Sequence, residues 1–299
     1  MSFQVKRNGR RRNLQRYKCS ECLHQFQSER RPAKFNEKLW KQYVWKKQNL
    51  SDLANENQHG PKWVRRRLDK IKATEQAVVP RKVVIIADTT FWGREYGVMV
   101  FRVPEETNIW WQEVERELMA HYHYGKKILE ERGWVFAATV VDGRRGLTNV
   151  FKGIPVQVCQ FHQMKTVTRY LTRKPETLAG MDLRAIMLQL PESNEKEFTE
   201  LLEDWHKKYK TFINQKTIII GCNRWYYTHK NVRSAYLSLK NNLPFLFTYQ
   251  KYPELNIPNT TNSLDGMFTQ LKARLAVHRG LRRDRRYKMI SEILRGRRN

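Results

Sequence analysis

The spacing of apolar residues changes at about residue 81. Before that point, residues 35–75 show helical spacing in three short segments, and the third places Val64, Leu68 and Ile71 on one face. After it, continuous or alternating β-branched runs predict strands at KVVIIA, GVMVFRV, NIWWQEV, WVFAATVV and IPVQVC. The pattern therefore predicts a small helical module followed by a larger domain built on a sheet.

The order of the predicted elements after residue 81 indicates a specific α/β arrangement. Three strands form a meander, and a helix, a strand, a short helix and another strand follow, which is the order of an RNase H-like core. Residues 160–258 are predicted to be mostly helical and rich in Trp and Tyr. We interpret about 163–258 as a helical insertion before a last core helix, TTNSLDGMFTQLKARLAVH. The catalytic domain is predicted to span residues 81–299.

Residues 35–77 have the pattern of a helix-turn-helix module. A short helix capped by Asn49 or Ser51 is followed by a turn at Gly60 and by a basic helix with Pro61 at its first position. In this interpretation the basic helix reads DNA, and the residues that face it are Lys62, Trp63, Arg65, Arg66 and Arg67. The alternative is a small basic helical bundle that reads no groove.

The charge of the chain is extreme and concentrated at its ends. The net charge is +28; residues 1–80 carry 20 Lys and Arg against 7 Asp and Glu, and residues 266–299 carry 11 against 2. The centre is nearly balanced, with 26 against 20. Such basic ends predict binding to nucleic acid. In the C-terminal segment, phosphate contacts are predicted for Arg279, Arg282 and Arg283, with a solvated cationic tail as the alternative.

Composition also indicates the compartment. Four cysteines are too few for a disulfide framework, the first residues are not a signal peptide, and no apolar stretch approaches the roughly 20 residues of a membrane span. We therefore expect a cytoplasmic protein, associated with the nucleoid when bound to DNA, with no membrane role.

Three aspartates are candidates for metal chemistry. Asp88 and Asp142 follow the first and fourth predicted strands, and Asp265 lies beside the apolar face of the last core helix. Cutting and joining phosphodiesters requires an activated oxygen nucleophile and a stabilised leaving oxygen, which two carboxylate-bound divalent ions supply. Taken singly, each aspartate has another explanation, as a turn, a cap or a solvated helix residue. Their order, strand, strand and helix, favours the joint interpretation.

These residues resemble the Mutator-like transposases of bacterial insertion sequences, in the variant with an N-terminal zinc-ribbon-like segment. The resemblance covers nearly the whole chain and rests on IIADTTFWG, on VVDGRRGL followed by VQVCQFHQMK, and on IPNTTNSLDGMFTQLKARLAVHRGL. It implies a DDE-type transposase that binds terminal inverted repeats and target DNA as a homodimer or higher oligomer. It further implies Mg²⁺ or Mn²⁺ held by Asp88, Asp142 and Asp265.

The chain departs from that family in two places. The third acid is usually Glu, and Asp265 is one methylene shorter. In the predicted zinc-ribbon-like segment, residues 1–34, Cys19 and Cys22 are only two of the four ligands that a ribbon needs, so the zinc assignment stays open.

The remaining site residues are assigned to the surroundings of the acids. Cys159, His162 and Asn262 are expected to support the wall of the site rather than to bind metal. In the insertion, burial in a helical core is the favoured interpretation of Trp205 and Trp225, and stacking on bases is the alternative. Two other functions stay open: an inactive or domesticated relative that only binds DNA, and a nuclease of the same fold that cuts without joining.

Overall fold

The computed structural model describes residues 4–11, 14–27, 33–71, 78–219, 221–222, 224–278 and 280–296. These residues belong to two compact units. Unit 1 comprises Met1–Thr74 and Leu271–Ile293, and unit 2 comprises Glu75–Gln270 and Leu294–Asn299. The domain boundaries at residues 34, 77 and 81 stay predictions.

Unit 1 begins with a small antiparallel sheet of order β1-β2-β3. Its strands are β1 (Val5–Arg11), β2 (Leu14–Cys19) and β3 (Gln25–Gln27). Cys19 is buried at the end of β2, whereas Cys22 is exposed in the following turn. Among the residues that the structure describes, no third His, Cys, Asp or Glu joins them in a metal-binding group.

Three helices follow in unit 1: α1 (Ala33–Trp45), α2 (Leu50–Glu56) and α3 (Pro61–Asp69). Asn49 is the cap of α2, since its side chain accepts from the backbone of Ser51 and of the third helical residue in a reciprocal capping box. Val64 and Leu68 of α3 are fully buried, as their spacing predicts. Because one face of α3 is buried, its basic residues remain on the other.

The chain returns to unit 1 at its C-terminal end. The helices here are the second half of α11 (Asn262–Ala276) and most of α12 (Arg283–Arg295). The buried guanidinium of Arg285 donates to both carboxylate oxygens of Asp69, at 2.7 and 2.9 Å, and Lys288 donates to the carbonyl of Leu68. These contacts hold α12 against the C-terminal end of α3.

Unit 2 is built on a five-stranded mixed sheet of order β6-β5-β4-β7-β8. Its strands are β4 (Lys82–Phe91), β5 (Gly97–Arg102), β6 (Asn108–Val114), β7 (Val135–Val141) and β8 (Val156–Val158). The first three are antiparallel, and β7 and β8 are parallel to β4. The sheet and its helices confirm the predicted α/β class, while the RNase H-like and helix-turn-helix assignments remain predictions.

Strand β4 is longer than its apolar run predicts. The sequence pattern ends the strand before Asp88, but β4 continues to Phe91. The reason is its antiparallel partner, because β5 pairs with β4 from Ile86 to Phe91, whereas the described pairing with β7 stops at Ile86. Asp88 is therefore paired with β5 on one side of β4, but on the other side it lies two residues beyond the last pair with β7.

Some helices of unit 2 pack against the sheet, and others pack against one another around a second hydrophobic cluster. The helices of unit 2 before α11 are α4 (Met119–Glu131), α5 (Leu147–Val150), α6 (Gln160–Leu171), α7 (Leu178–Leu188), α8 (Glu195–Ile213), α9 (Lys230–Leu246) and α10 (Thr248–Lys251). A hairpin of β9 (Lys216–Ile218) and β10 (Trp225–Tyr227) interrupts the predicted helical insertion. No helix in the described part of the chain is long and apolar enough to cross a membrane.

Two hydrophobic clusters lie in unit 2. One lies between the sheet and its helices and includes Phe101, Tyr122 and Phe151. The other joins α6 to α9 and includes Phe198, Trp205 and Phe247. Trp205 is only 3% exposed and its indole N–H donates to the carbonyl of Ala179, so the ring is part of the helical core, as favoured from the sequence, and is not free to stack on bases. Trp225 is 49% exposed, so the burial favoured for it is not found.

Candidate active site

The register of the parallel strands places the first two aspartates side by side. Ile86 of β4 is paired with Val140 of β7, so Asp88 and Asp142, each two residues further along, come level. Side chains two residues apart lie on the same face of a sheet, and neighbouring strands are about 4.8 Å apart. Val141 is likewise paired with Val158, which brings Cys159 level with Asp142 on the next strand.

The third aspartate reaches the site from α11. Asp265 lies in the first turn of that helix, and the hydroxyl of Thr261 lies 3.0 Å from its Oδ2. One ligand atom each of Asp88, His162 and Asp265 lies within 4.8 Å of the others. Three residues from β4, α6 and α11 thus converge, with Asp142 on the adjacent strand end but outside this three-residue group.

Asp88 is buried, and its burial disfavours the ionised form of the carboxyl group. The residue is 9% exposed, and burial raises the pKa of its carboxyl from 3.8 to about 7. His162 and the backbone N–H of Thr89, which donates to Oδ1 at 2.7 Å, act in the opposite direction, while Asp142 and Asp265 add to the rise. Asp88 therefore carries its negative charge in poorly solvated surroundings, and a bound cation would stabilise the ionised form.

A small polar cluster supports the acids from behind. The thiol sulfur of Cys159 accepts from the backbone N–H groups of Thr261 and His162, at 3.3 and 3.5 Å. The Thr261 hydroxyl also lies 3.2 Å from Nδ1 of His162. The hydrogen bond with Cys159, together with the carboxylates, raises the pKa of His162 to about 9 against the opposing effect of burial.

The supporting residues differ from one another in position. Cys159 is fully buried behind the acids, His162 brings a ring nitrogen into the group with Asp88 and Asp265, and Asn262 is exposed. Thr261 was not predicted, although a hydroxyl residue just before a helix and four positions before an acid is a detectable signal. Its side chain connects the thiol, the imidazole and the Asp265 carboxylate.

A second unpredicted residue, the carboxylate Glu117, lies near Asp142. Glu117 accepts from the hydroxyl of Tyr122 and forms an ion pair with Arg144, whose guanidinium also donates to the Glu117 carbonyl at 2.9 Å. The backbone N–H of Arg144 donates to Oδ1 of Asp142 at 3.1 Å. Burial raises the pKa of Glu117, and the Asp142 charge adds to that rise. The pair anchors the segment that carries Asp142, and no spacing rule in the sequence connects residues 117 and 142.

The predicted DNA-contacting residues are mostly on the surface of unit 1. Lys62, Arg65 and Arg66 are exposed, whereas Trp63 is partly buried and stacks on His59 with ring centroids 4.0 Å apart. The guanidinium of Arg67 lies over the Trp63 ring. Of the C-terminal residues, Arg282 and Arg283 are exposed, and Arg279 lies outside the described residues.

Comparison with known proteins gives only distant likenesses, among solved structures. No protein-family model matches the chain, and no curated protein matches it. The solved structures that match include the Drosophila P element transposase strand transfer complex, with a TM-score of 0.43 and 9% identity. That match covers 90% of this chain and 93% of the other. Since the likeness is so distant, the chemistry has to be argued from the site itself.

Proposed function

We propose that the chain is a DDE-type transposase that cleaves DNA and transfers the cut strand with the help of divalent metal ions. The observation that carries the proposal is the convergence of Asp88, His162 and Asp265 within 4.8 Å, beside the strand end that bears Asp142. Residues 74 and 177 positions away from Asp88 along the chain meet it at one point of the sheet edge. A cluster of acidic and imidazole side chains around a buried carboxylate with a raised pKa is typical of a metal-dependent catalytic site.

The residues present fit Mg²⁺ or Mn²⁺. Carboxylate oxygens are the ligands that such hard ions prefer, and the raised pKa of Asp88, caused mainly by burial, indicates a carboxylate that a bound cation would stabilise. Bound ions of this kind activate an oxygen nucleophile and stabilise the leaving oxygen of a phosphodiester. Asp88 and Asp265 would hold them, Asp142 would complete the ligand set from β7, and Thr261 would orient Asp265.

His162 has one of two roles beside the carboxylates. Its ring lies within reach of the metal group, which suits a ligand once the imidazole is neutral. Its raised pKa also makes it a cation that partly compensates Asp88 when no metal is bound. In both roles the Thr261 hydroxyl, 3.2 Å from Nδ1, holds the ring in place, while the backbone N–H of His162 donates to the thiol sulfur of Cys159.

The proposal that DNA is the substrate depends on charge and on sequence. The net charge of +28 is concentrated at the two ends of the chain, and α3 exposes basic residues opposite its buried face. The sequence motifs around the three aspartates resemble those of Mutator-like transposases. We therefore propose that residues 35–77 bind the ends of a mobile element, and that a homodimer or higher oligomer pairs two ends.

Metal-dependent cleavage of DNA tests the proposal. The substrate is a duplex from the DNA that flanks the coding sequence, and the readout is strand cleavage and joining with Mg²⁺ or Mn²⁺. We expect Asp88→Asn, Asp142→Asn and Asp265→Asn each to abolish both steps while DNA binding is retained. The control is Asp204→Asn, which changes an exposed acid on α8 and should leave cleavage intact.

The other outcomes separate the alternatives. Cleavage without joining would indicate a nuclease. DNA binding without cleavage would indicate an inactive relative that only occupies DNA ends. Full cleavage by the Asp265→Asn protein would refute the assignment of the third acid.

A further inference from the structure

A large cavity opens beside the carboxylate cluster. It lies between residues 142–146, α6 and α9, with Asp142 and His162 on its wall, and its volume is about 1060 Å³. Sites for small organic ligands usually measure about 300–1,000 Å³. The cavity therefore has room inside it for about one or two nucleotides.

The wall of this cavity is strongly basic. Arg144, Arg145, Lys165 and Arg169 line it, against the single acid Asp142. Arg144 is paired with Glu117. In the part of the chain that the structure describes, no carboxylate forms an ion pair with Arg145, Lys165 or Arg169.

The positions of two of these cations favour an anionic ligand. Lys165 and Arg169 are four residues apart on α6, so both project from the same face of the helix into the same cavity. Like charges at this spacing destabilise a helix by a few tenths of a kcal/mol. A bound anion would remove that repulsion.

The floor of the cavity is held in place before any ligand binds. The amide of Asn242 on α9 donates to Gln163 of α6 at 2.8 Å and to the carbonyl of Gly143 at 3.3 Å. Gln163 in turn donates to Ser238 at 3.1 Å. A Cβ at residue 143 would lie 2.5 Å from that Asn242 amide, so only glycine allows the segment to approach α9 this closely.

We propose that this cavity binds unpaired nucleotides of one DNA strand next to the cleavage point. The inference rests on the proposed function and adds where the single strand goes. Phosphates would contact Arg145, Lys165 and Arg169, and the Arg169 guanidinium lies over the ring of Tyr170 on the same wall. Asp142 is also on this wall, so a strand bound in the cavity would lie next to the carboxylates.

Binding measurements with two DNA probes test the inference. One probe is a fully paired duplex, and the other is the same duplex with three unpaired nucleotides at one end. Affinity is measured by fluorescence anisotropy in EDTA, so that no cleavage takes place. The variant is Lys165→Gln with Arg169→Gln, and the matched control is Lys207→Gln with Lys210→Gln, which removes two exposed cations of α8.

The expected result is specific to the unpaired probe. The α6 variant should bind it about tenfold more weakly, and the slope of log affinity against log salt should fall by about 1.4, since each contact with a single strand contributes about 0.7. Affinity for the full duplex should stay unchanged, as should both affinities of the α8 control. Arg145→Gln, in a loop, gives an independent check if the α6 variant folds poorly.

Two results would overturn the inference. One is an equal loss of affinity for both probes, which would assign these cations to duplex DNA. The other is no loss at all. Because binding is measured without metal, selective loss in a protein that never cleaves DNA would support the cavity assignment and reject only the proposed catalytic function.

Discussion

Replacing Asp88 with Asn should stabilise the metal-free protein while abolishing catalysis. The carboxylate is buried beside Asp142 and Asp265, and its pKa is raised from 3.8 to about 7. Asn has nearly the same shape and can still accept the hydrogen bond from the backbone N–H of Thr89. The substitution therefore removes an unfavourable charge and keeps the packing.

The size of the gain follows from the pKa difference. The pKa of Asp88 rises from 3.8 to about 7 on folding, and each pKa unit corresponds to about 1.4 kcal/mol. Ionised Asp88 therefore lowers the free energy of unfolding by about 4 kcal/mol relative to its neutral form. The attraction of the nearby His162 cation already lowers the pKa of Asp88 and is contained in this value, so the expected gain at pH 8 stays at about 4 kcal/mol.

The sign of the pH dependence is also determined by this shift. Between pH 4 and pH 7 the folded protein holds a proton at Asp88 that the unfolded chain releases, so stability falls as pH rises through this range. Above about pH 7 the full penalty applies. The advantage of the Asn variant should therefore shrink by roughly 2–3 kcal/mol between pH 8 and pH 5.

Hydrogen exchange of the β4 amides in EDTA measures this effect, because it reports on unit 2 alone. Asp204→Asn, an exposed change on α8, is the control and should show no pH-dependent gain. Adding Mg²⁺ should stabilise the wild type and not the Asn variant. The reasoning would be refuted by an Asn variant that is no more stable than wild type at pH 8, or by a gain that does not depend on pH.

Three further changes test the packing around the site. Gly143→Ala should lower the free energy of unfolding by about 1–3 kcal/mol, and lower activity, because its Cβ would lie 2.5 Å from the side-chain amide of Asn242 on α9. The control is Gly266→Ala, which has open space around it and should be neutral or slightly stabilising in urea unfolding. Trp205→Ala should lower the free energy of unfolding by about 3–5 kcal/mol, because its side chain is buried. The Trp225 side chain is 49% exposed, so Trp225→Ala should barely change the midpoint of urea unfolding, and equal effects of the two changes would contradict the assigned burial. Asn49→Ala should cost about 1 kcal/mol through loss of the α2 cap, and an unchanged melting temperature would argue against that cap.

Local pattern accounts for most of the secondary structure. Helical spacing predicts the buried face of α3, and β-branched runs predict the five strands of the sheet, because burial of one face imposes a period on the sequence. The end of β4 was predicted too early because its last residues are held by pairing with β5, which the local pattern does not encode. Trp205 shows the same limit, since only packing decides whether an aromatic ring is buried or free to stack.

Some residues of the candidate site could likewise be predicted from the sequence, and others only from the tertiary structure. The sequence by itself determined that acids follow two strands and begin a helix, because carboxylates at such positions interrupt apolar runs in a recognisable way. Only the tertiary structure decided that His162 joins Asp88 and Asp265, that Thr261 lies among them, and that a basic cavity opens beside Asp142. These neighbours come from elements far apart in the chain, and their approach depends on strand register and helix packing, which no local period specifies.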